Sequence, residues 1–215
     1  MPSLESLTAF FGIAVLLALT PGPDNIFVLL QSAQKGWRAG LAVVLGLTAG
    51  VAVHTTAVAL GLAAVFAASV TAFTVLKWCG AAYLSYLAWG ALRAQSSVSD
   101  MPVQQARDQR LPLREGLRMV GRGLVMNLTN PKVLIFFLAF LPQFANPALG
   151  PVAPQIAVYG AVFMAATLLV FGSIACFSGL FGAMLQRSAR AQWWLNRLAG
   201  MVFLGMAVRL ATVER

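Results

Sequence analysis

The sequence predicts an all-α integral membrane protein whose six transmembrane helices form two inverted repeats of three helices. Three observations lead to this prediction. Of the 215 residues, 60% are hydrophobic and only 10% are charged, whereas soluble domains carry about 25% charged residues. Six apolar segments are each long enough to cross the hydrocarbon of a bilayer. Two of these segments, one in each half of the chain, are interrupted by similar polar motifs that contain proline.

The predicted spans follow one another with short connections, apart from one polar segment in the middle of the chain. A helix needs about 20 apolar residues to cross the hydrocarbon. The first span is longer than this, which fits a helix that is broken and redirected, and the second and fifth are long enough to tilt. The spans are residues 5–34, 39–66, 70–93, 119–144, 154–184 and 193–212.

The first interruption, Thr20-Pro21-Gly22-Pro23-Asp24-Asn25, is predicted to break the first helix. Pro21 and Pro23 remove backbone donors and stop the preceding helix, and Gly22 permits a close approach or an unusual dihedral angle. A new helix then starts between Pro23 and Asn25. Its free N–H groups favour an anionic group such as a carboxylate.

The second interruption, Asn127-Leu128-Thr129-Asn130-Pro131-Lys132, is predicted to break the fourth helix in the same way. Asn127 and Asn130 can bind a zwitterion or satisfy backbone groups that Pro131 leaves free. Broken polar backbone at membrane depth is tolerated only where it is buried in protein or lines a cavity. Matching breaks in two halves of a chain indicate the binding site of a transporter.

The chain is predicted to form one membrane domain, residues 1–215, with half-repeats of about 1–94 and 115–215. The polar linker of about 95–114 joins them. Lys and Arg concentrate in cytoplasmic loops, and with the N-terminus outside, eleven of the 15 basic residues fall in such loops. Both termini are therefore predicted to be periplasmic and the linker cytoplasmic. The eleven residues are Lys35, Arg38, Arg93, Arg107, Arg110, Arg114, Arg118, Arg122, Arg187, Arg190 and Arg197.

The two halves resemble each other in sequence. Pro23-Asp24 aligns with Pro131-Lys132, and the segments 77–84 and 197–204 both read basic-x-x-Gly-x-x-aromatic-Leu. Three spans per half is an odd number, so the second half enters the membrane from the opposite side. An inverted repeat of this kind is found in many secondary transporters.

Asp24 is the one acidic residue predicted to lie within the hydrocarbon, and Lys132 is the basic residue at comparable depth. A charge near the bilayer centre costs about 2.5–3.5 kcal/mol on insertion scales, so each needs a partner. We expect the two to pair. They then either bind substrate or a proton, or form a structural ion pair that locks the halves. His54, the single histidine, is either a proton carrier or a neutral imidazole bonded to a neighbouring helix.

Other features limit the classes of function. The chain has no phosphate-binding loop, no cluster of metal ligands, no catalytic triad and no basic tract with interleaved aromatic residues, so no cofactor, metal, enzyme activity or nucleic-acid partner is predicted. Cys79 and Cys176 are expected to be small core residues. The Gly36-x-x-x-Gly40 and Gly46-x-x-x-Gly50 motifs suit close helix contacts and permit a homodimer.

At the level of its motifs, the chain resembles the LysE/RhtB amino-acid exporter family of bacterial inner-membrane proteins. The resemblance rests on residues 20–25 and 127–132, on Gly46-Leu47-Thr48-Ala49-Gly50 with His54, and on Lys77-x-x-Gly80-Ala81-Ala82-Tyr83-Leu84. It implies efflux of amino acids or close derivatives from the cytoplasm. Because the spans hold a single acid, we expect a neutral amino acid.

The predicted function is a secondary transporter that exports such solutes by alternating access, driven by the proton-motive force. Its site comprises Asp24, Lys132, Asn25, Asn127, Asn130 and His54, with helix breaks at Pro21, Gly22, Pro23 and Pro131. Two alternatives use a related scaffold. One is metal-ion efflux, and the other is a membrane thiol–disulfide carrier that would act through Cys79 and Cys176.

Overall fold

A computed structural model describes the chain at residues 2–20, 22–62, 70–93, 111–177 and 189–212. The regular elements in these ranges are all helical, and we number the long helices and the second half of each bent pair α1 to α8 in chain order. Pro21 and residues 94–110, which make up most of the predicted linker, lie outside the described residues.

Helices α1 and α2 form a bent pair in the first predicted span. α1 is Leu4–Leu19, and the Ser3 side chain accepts a hydrogen bond from the Ser6 N–H at its start. α2 is Pro23–Lys35 and begins on proline, which is tolerated in a first turn because that N–H needs no helical partner. The two axes differ by 67°. The chain thus bends where the sequence predicts a break.

Helices α5 and α6 form a second bent pair in the fourth predicted span. α5 is Leu113–Leu128, and α6 is Pro131–Ile135, again with proline in the first turn. α6 continues through a π turn, Phe136–Phe140, and a 3-10 turn, Leu141–Phe144, and the pair bends by 54°. The helix begins before the predicted start of this span at 119, and the end of the predicted linker at 114 falls inside it. The reason is that exposed arginines extend the helix beyond its apolar segment.

The remaining helices occupy the other predicted spans. α3 is Trp37–Ala57, extended by a π turn, Val58–Leu62, and α4 is Val70–Arg93. α7 is Val152–Cys176, and α8 is Ala189–Thr212. By length and composition, the described residues contain two helices that can cross a membrane, or up to four spans if each bent pair counts as one. Those are α3, α7 and the two bent pairs. The 24-residue helices α4 and α8 are about 36 Å long but less apolar.

Helix α3 lies at the centre of the packing, against α5 on one side and α7 on the other. A methyl group on Gly46 would lie 2.1 Å from the Val120 carbonyl oxygen, and one on Gly123 would lie 2.2 Å from the Val43 carbonyl oxygen. The backbones of α3 and α5 therefore cross in direct contact, as the motif at Gly46 predicts. Elsewhere α1 packs on α7, and α4 on α8.

The positions of the two cysteines differ from the prediction. Cys79 on α4 and Cys176 on α7 are free and exposed, not core residues. On the outer face of a membrane helix a small apolar side chain is already in an apolar solvent, so hydrophobicity does not tell a lipid-facing position from a core one. The core is instead aromatic: the Phe10 ring contacts the rings of Phe136, Tyr159 and Phe163.

Candidate functional site

The candidate site begins with the backbone carbonyls that the first break leaves without partners. The Leu17 carbonyl would accept from the N–H of residue 21 in a continuous helix, but proline has none. In the structure the ammonium of Lys132 takes that place, donating to the Leu17 oxygen at 3.1 Å and to the Thr20 oxygen at 3.4 Å. A lysine from the second half of the chain therefore caps the end of α1, where a cation is favourable to the helix dipole.

Asn25 completes the same helix end from the other side of the break. Its side-chain nitrogen donates to the Ala18 carbonyl oxygen at 2.8 Å. In a continuous helix that carbonyl would have accepted from the N–H of residue 22. The side-chain amide predicted to bind substrate thus forms a structural bond, and its buried oxygen Oδ1 has no donor among the described residues.

The second break is built in a related way from Thr129 and Asn127. The Thr129 N–H and hydroxyl both donate to the Val125 carbonyl. The Asn127 carbonyl would accept from residue 131, which is again a proline without an N–H. It accepts instead from the Asn130 N–H at 3.1 Å, and Nε2 of His54 lies 3.5 Å from it. The second break is therefore closed mainly by its own residues, and His54 of α3 adds one contact from another part of the fold.

Asn130 links the two halves of the chain at the centre of the site. Its side-chain nitrogen donates to Oδ2 of Asp24 at 2.7 Å, and its oxygen Oδ1 accepts from the Lys132 backbone N–H at 3.0 Å. One amide therefore caps the start of α6 and binds the carboxylate in the first turn of α2. That carboxylate also sits where the positive end of the α2 dipole favours an anion.

The direct contact between Asp24 and Lys132 that the sequence suggests is not formed. Each has another partner: Asp24 accepts from Asn130, and Lys132 donates to the carbonyls at the end of α1. The expected geometry was wrong because the broken helix α1 presents free backbone carbonyls to Lys132. A sequence pattern does not reveal such partners. Both residues are nonetheless buried, at 2% and 6% exposure, and they line the same small cavity.

This cavity is the junction of the two breaks. It measures about 10 Å³, which is close to the space that one water molecule needs. Apolar side chains and a single hydroxyl, that of Thr167, complete its wall. The residues that line it are Leu17, Ala18, Asp24, Asn127, Lys132, Val133, Phe163, Thr167 and Phe171.

Three buried acceptors around this junction lack a donor in the described part of the chain. They are Oδ1 of Asp24, Oδ1 of Asn25 and Oδ1 of Asn127. Buried polar atoms are almost always hydrogen-bonded, and leaving one unpaired costs about 1–3 kcal/mol. These acceptors can be satisfied by one water molecule in the cavity or by a ligand that brings its own N–H or O–H donors.

His54 lies next to this junction and does not line the cavity. It is buried at 8% exposure, and its ring stacks on Phe137 with a centroid distance of 5.5 Å. Its contact is with the carbonyl of Asn127, whose side chain reaches the cavity. His54 thus contacts another helix, as one of the two alternatives expects, and both its charge state and a role in proton transfer stay predictions.

Sequence reasoning missed two contributions to the site. Thr167 of α7 lines the cavity at 2% exposure, and its hydroxyl donates to the Phe163 carbonyl. Gly50 of α3 faces Asn127, since a methyl group there would lie 2.6 Å from Oδ1 of that residue. An isolated threonine in an apolar helix carries no signal of its own. The glycine belongs to a motif, but the motif does not tell which residue it faces.

The helix-breaking residues lie where the sequence analysis expects them, as far as they are described. Pro23 and Pro131 begin α2 and α6. Gly22 has extended backbone and lies beside Lys132. A methyl group built on Gly22 would lie 3.5 Å from the Lys132 ammonium nitrogen. Within the described ranges, no three His, Cys, Asp or Glu side chains come together as metal ligands would.

Comparison with known proteins identifies the group to which this chain is related. The pattern of the LysE type translocators matches residues 15–214, nearly the whole chain. The chain belongs to the LysE type translocator family. The resemblance stated from the motifs is therefore confirmed, and with it a place among membrane translocators.

Individual relatives align over nearly their full lengths. A homoserine/homoserine lactone efflux protein of Salmonella typhimurium is 30% identical over 209 residues, covering 96% of each chain. An uncharacterized membrane protein of Vibrio cholerae is 30% identical over 206 residues, again covering 96% of each. An uncharacterized membrane protein of Pseudomonas aeruginosa is 32% identical over 200 residues, covering 92% of this chain and 91% of its own. No solved structure matches.

Proposed function

We propose that this LysE-type translocator exports amino acids or close derivatives across the bacterial inner membrane by alternating access. The observation that carries the proposal is the buried group of Asp24, Asn130 and Lys132 at the meeting point of two broken helices. Charged residues buried in a membrane protein mark ion or substrate pathways. The names of the Salmonella relatives, which refer to homoserine and its lactone, point to the same class of solute.

The solute we propose carries an α-ammonium group and has no net charge as a zwitterion. Its ammonium is bound by the free acceptors Oδ1 of Asp24 and Oδ1 of Asn127. Its carboxylate is bound by Lys132, whose ammonium group has three hydrogens and donates to two carbonyls. One acid and one base match a zwitterion, which supports a neutral amino acid. Homoserine carries both groups, whereas its lactone carries the α-amino group and an ester in place of the carboxylate.

Binding requires the two halves of the protein to separate. The cavity of about 10 Å³ has no room for an amino acid, so the described conformation is closed at the site. Separation would move the Asn130 amide away from Asp24, because these residues belong to different halves. The closed state is then held by the hydrogen bond from Asn130 to Asp24 and by the contacts of Lys132 with the carbonyls at the end of α1.

We infer that the two halves, about 1–94 and 115–215, form an inverted repeat, an architecture that supports alternating access. Exchange of the halves relates α1 to α5, α3 to α7 and α4 to α8. Under this exchange the α1–α7 contact corresponds to the α5–α3 contact, whereas the α3–α7 and α4–α8 contacts each correspond to themselves. The structure contains all four contacts. In this proposal six spans place both termini in the periplasm and the linker, about 95–114, in the cytoplasm.

The proton-motive force supplies the energy in this proposal. A proton that enters from the periplasm competes with the substrate ammonium for Asp24 and returns the site to the cytoplasm without solute. Moving one charge through 100 mV is worth about 2.3 kcal/mol. That corresponds to roughly a fiftyfold solute gradient at about 1.4 kcal/mol per tenfold.

The test is efflux from proteoliposomes loaded with homoserine, threonine or lysine, with and without an imposed pH gradient. We expect Asp24→Asn to abolish efflux while the protein elutes and melts as a folded species. Glu115→Gln removes an exposed acid that pairs with Lys35 and should leave efflux unchanged. Wild-type rates in the Asp24→Asn protein would reject the assigned role, and efflux that ignores the pH gradient would reject proton coupling.

A further inference from the structure

A large apolar groove runs along the outer surface between α2 and α5. It measures about 880 Å³ and opens to the side. Apolar side chains make up most of its floor, and Val125 is 61% exposed on it. On the outer surface of a membrane protein such an apolar groove is solvated by lipid acyl chains. Its apolar wall consists of Pro23, Phe27, Val125, Met126 and Pro131.

Two arginines of α5 lie at one end of this groove. Arg118 and Arg122 are both exposed, and they stand four residues apart on one face of the helix. A second pocket, of about 600 Å³, continues from them along Arg114. The neighbouring acid, Glu115, pairs with Lys35, and no acidic side chain in the described ranges pairs with Arg118 or Arg122. The end of the apolar groove thus carries two arginines that form no ion pair with an acidic side chain among the described residues.

The depth of these arginines matches that of a lipid headgroup. Asn130 lies close to the middle of the bent pair Leu113–Phe144. Arg122 stands eight residues before it and Arg118 twelve, so they lie roughly 12 and 18 Å from the break along the helix. The hydrocarbon of one leaflet is about 15 Å thick. The arginines are therefore at the boundary between acyl chains and phosphates.

We propose that this groove binds one anionic phospholipid, with its phosphate on Arg118 and Arg122 and an acyl chain along the apolar wall. Basic pockets at the cytoplasmic ends of membrane helices bind anionic headgroups in this way. The inner end of the groove is formed by Asn130 and Pro131. The acyl chain would therefore end beside the amide that holds Asp24, on the outer side of the candidate site. The proposal does not depend on which solute is transported.

Gly121 makes the acyl part of this proposal testable separately from the phosphate part. It lines the groove, and a methyl group built on it meets no atom within 4 Å. Gly121→Leu therefore adds apolar bulk to the groove wall from an open position and leaves both arginines in place. Gly90 of α4 also faces open space, so Gly90→Leu is a matched control on another exposed helix face.

The experiment is native mass spectrometry of the purified full chain titrated with phosphatidylglycerol, phosphatidylcholine or glycerol phosphate. We expect one phosphatidylglycerol per chain, in preference to phosphatidylcholine. Each arginine near an anionic surface is worth about fivefold in affinity, so Arg118→Gln with Arg122→Gln should weaken binding roughly thirtyfold. The control Arg190→Gln with Arg197→Gln removes the same charge and should bind like the wild type.

Gly121→Leu should lose phosphatidylglycerol, whereas Gly90→Leu should keep it. Three results would overturn the proposal. The arginine double variant could retain the lipid fully, or Gly121→Leu could bind it as the wild type does, which would leave only a site for a free anion. Alternatively, Gly121→Leu could convert a dimer to a monomer without any change in bound lipid, which would make the groove an interface between copies.

Discussion

Replacement of Asn130 by alanine tests the central link between the two halves. This change removes the hydrogen bond from the amide to Oδ2 of Asp24 and the cap on the Lys132 N–H. A helix cap is worth about 1 kcal/mol, and a hydrogen bond to a charged group about 1.5–3 kcal/mol. We therefore expect Asn130→Ala to lower the free energy of unfolding by about 2.5–4 kcal/mol.

Two further variants separate these contributions. Asn146 also caps a helical turn, Pro147–Leu149, but it is exposed and binds no charge. Asn146→Ala should therefore cost about 1 kcal/mol or less. Asn130→Ser keeps an oxygen that can cap α6 but shortens the reach to Asp24, so it should recover about the value of the cap and no more.

The measurement is thermal unfolding of the purified variants in one detergent. For a chain of this length each kcal/mol shifts Tm by roughly 2–4 °C, so Asn130→Ala should lower Tm by roughly 5–15 °C and Asn146→Ala by roughly 2–4 °C or less. Equal shifts for the two would refute the reasoning, because Asn130 would then act as a cap and nothing else. A Tm for Asn130→Ser as low as that for Asn130→Ala would show that the cap contributes nothing.

Two other substitutions test the helix crossing and the lysine cap. Gly123→Ala places a methyl group 2.2 Å from the Val43 carbonyl, whereas Gly121→Ala, on the same helix, meets open space. The first should lower Tm and the second raise or leave it, since alanine favours a helix by about 1 kcal/mol over glycine; shifts of the same sign would contradict the crossing. Lys132→Met leaves two carbonyls of α1 unpaired at about 1–3 kcal/mol each, whereas Lys35→Met breaks an exposed ion pair worth less than about 1 kcal/mol. Similar unfolding curves for these two would show that the Lys132 contacts do not stabilise α1.

The sequence was sufficient to predict the breaks and the residues near them. Proline lacks an N–H and blocks a helix wherever it occurs, so Pro23 and Pro131 mark helix starts without reference to the fold. The hydrogen-bond partners of these residues could not be predicted from the sequence. Asp24 was expected to pair with Lys132, yet it binds Asn130, because the lysine is taken by carbonyls at the end of α1.

Helix packing also could not be predicted from local pattern alone. Gly46 belongs to a small-residue motif, but the motif does not specify that it meets Gly123, which is far away in sequence. For Cys79 and Cys176, the local pattern led to a wrong prediction of burial. Hydropathy placed them in the core, and the structure has them exposed, since lipid and protein interior are equally apolar.

Composition and proline positions alone determined that this chain is a helical membrane protein with a polar break in each half. These properties are local, because chain length, hydrophobicity and missing N–H groups act within a few residues. The tertiary structure decided which side chain satisfies each broken helix end and which buried acceptors have no donor among the described residues. Those choices depend on distances between residues more than 70 positions apart, such as His54 and Asn127, and only the packed helices set these distances.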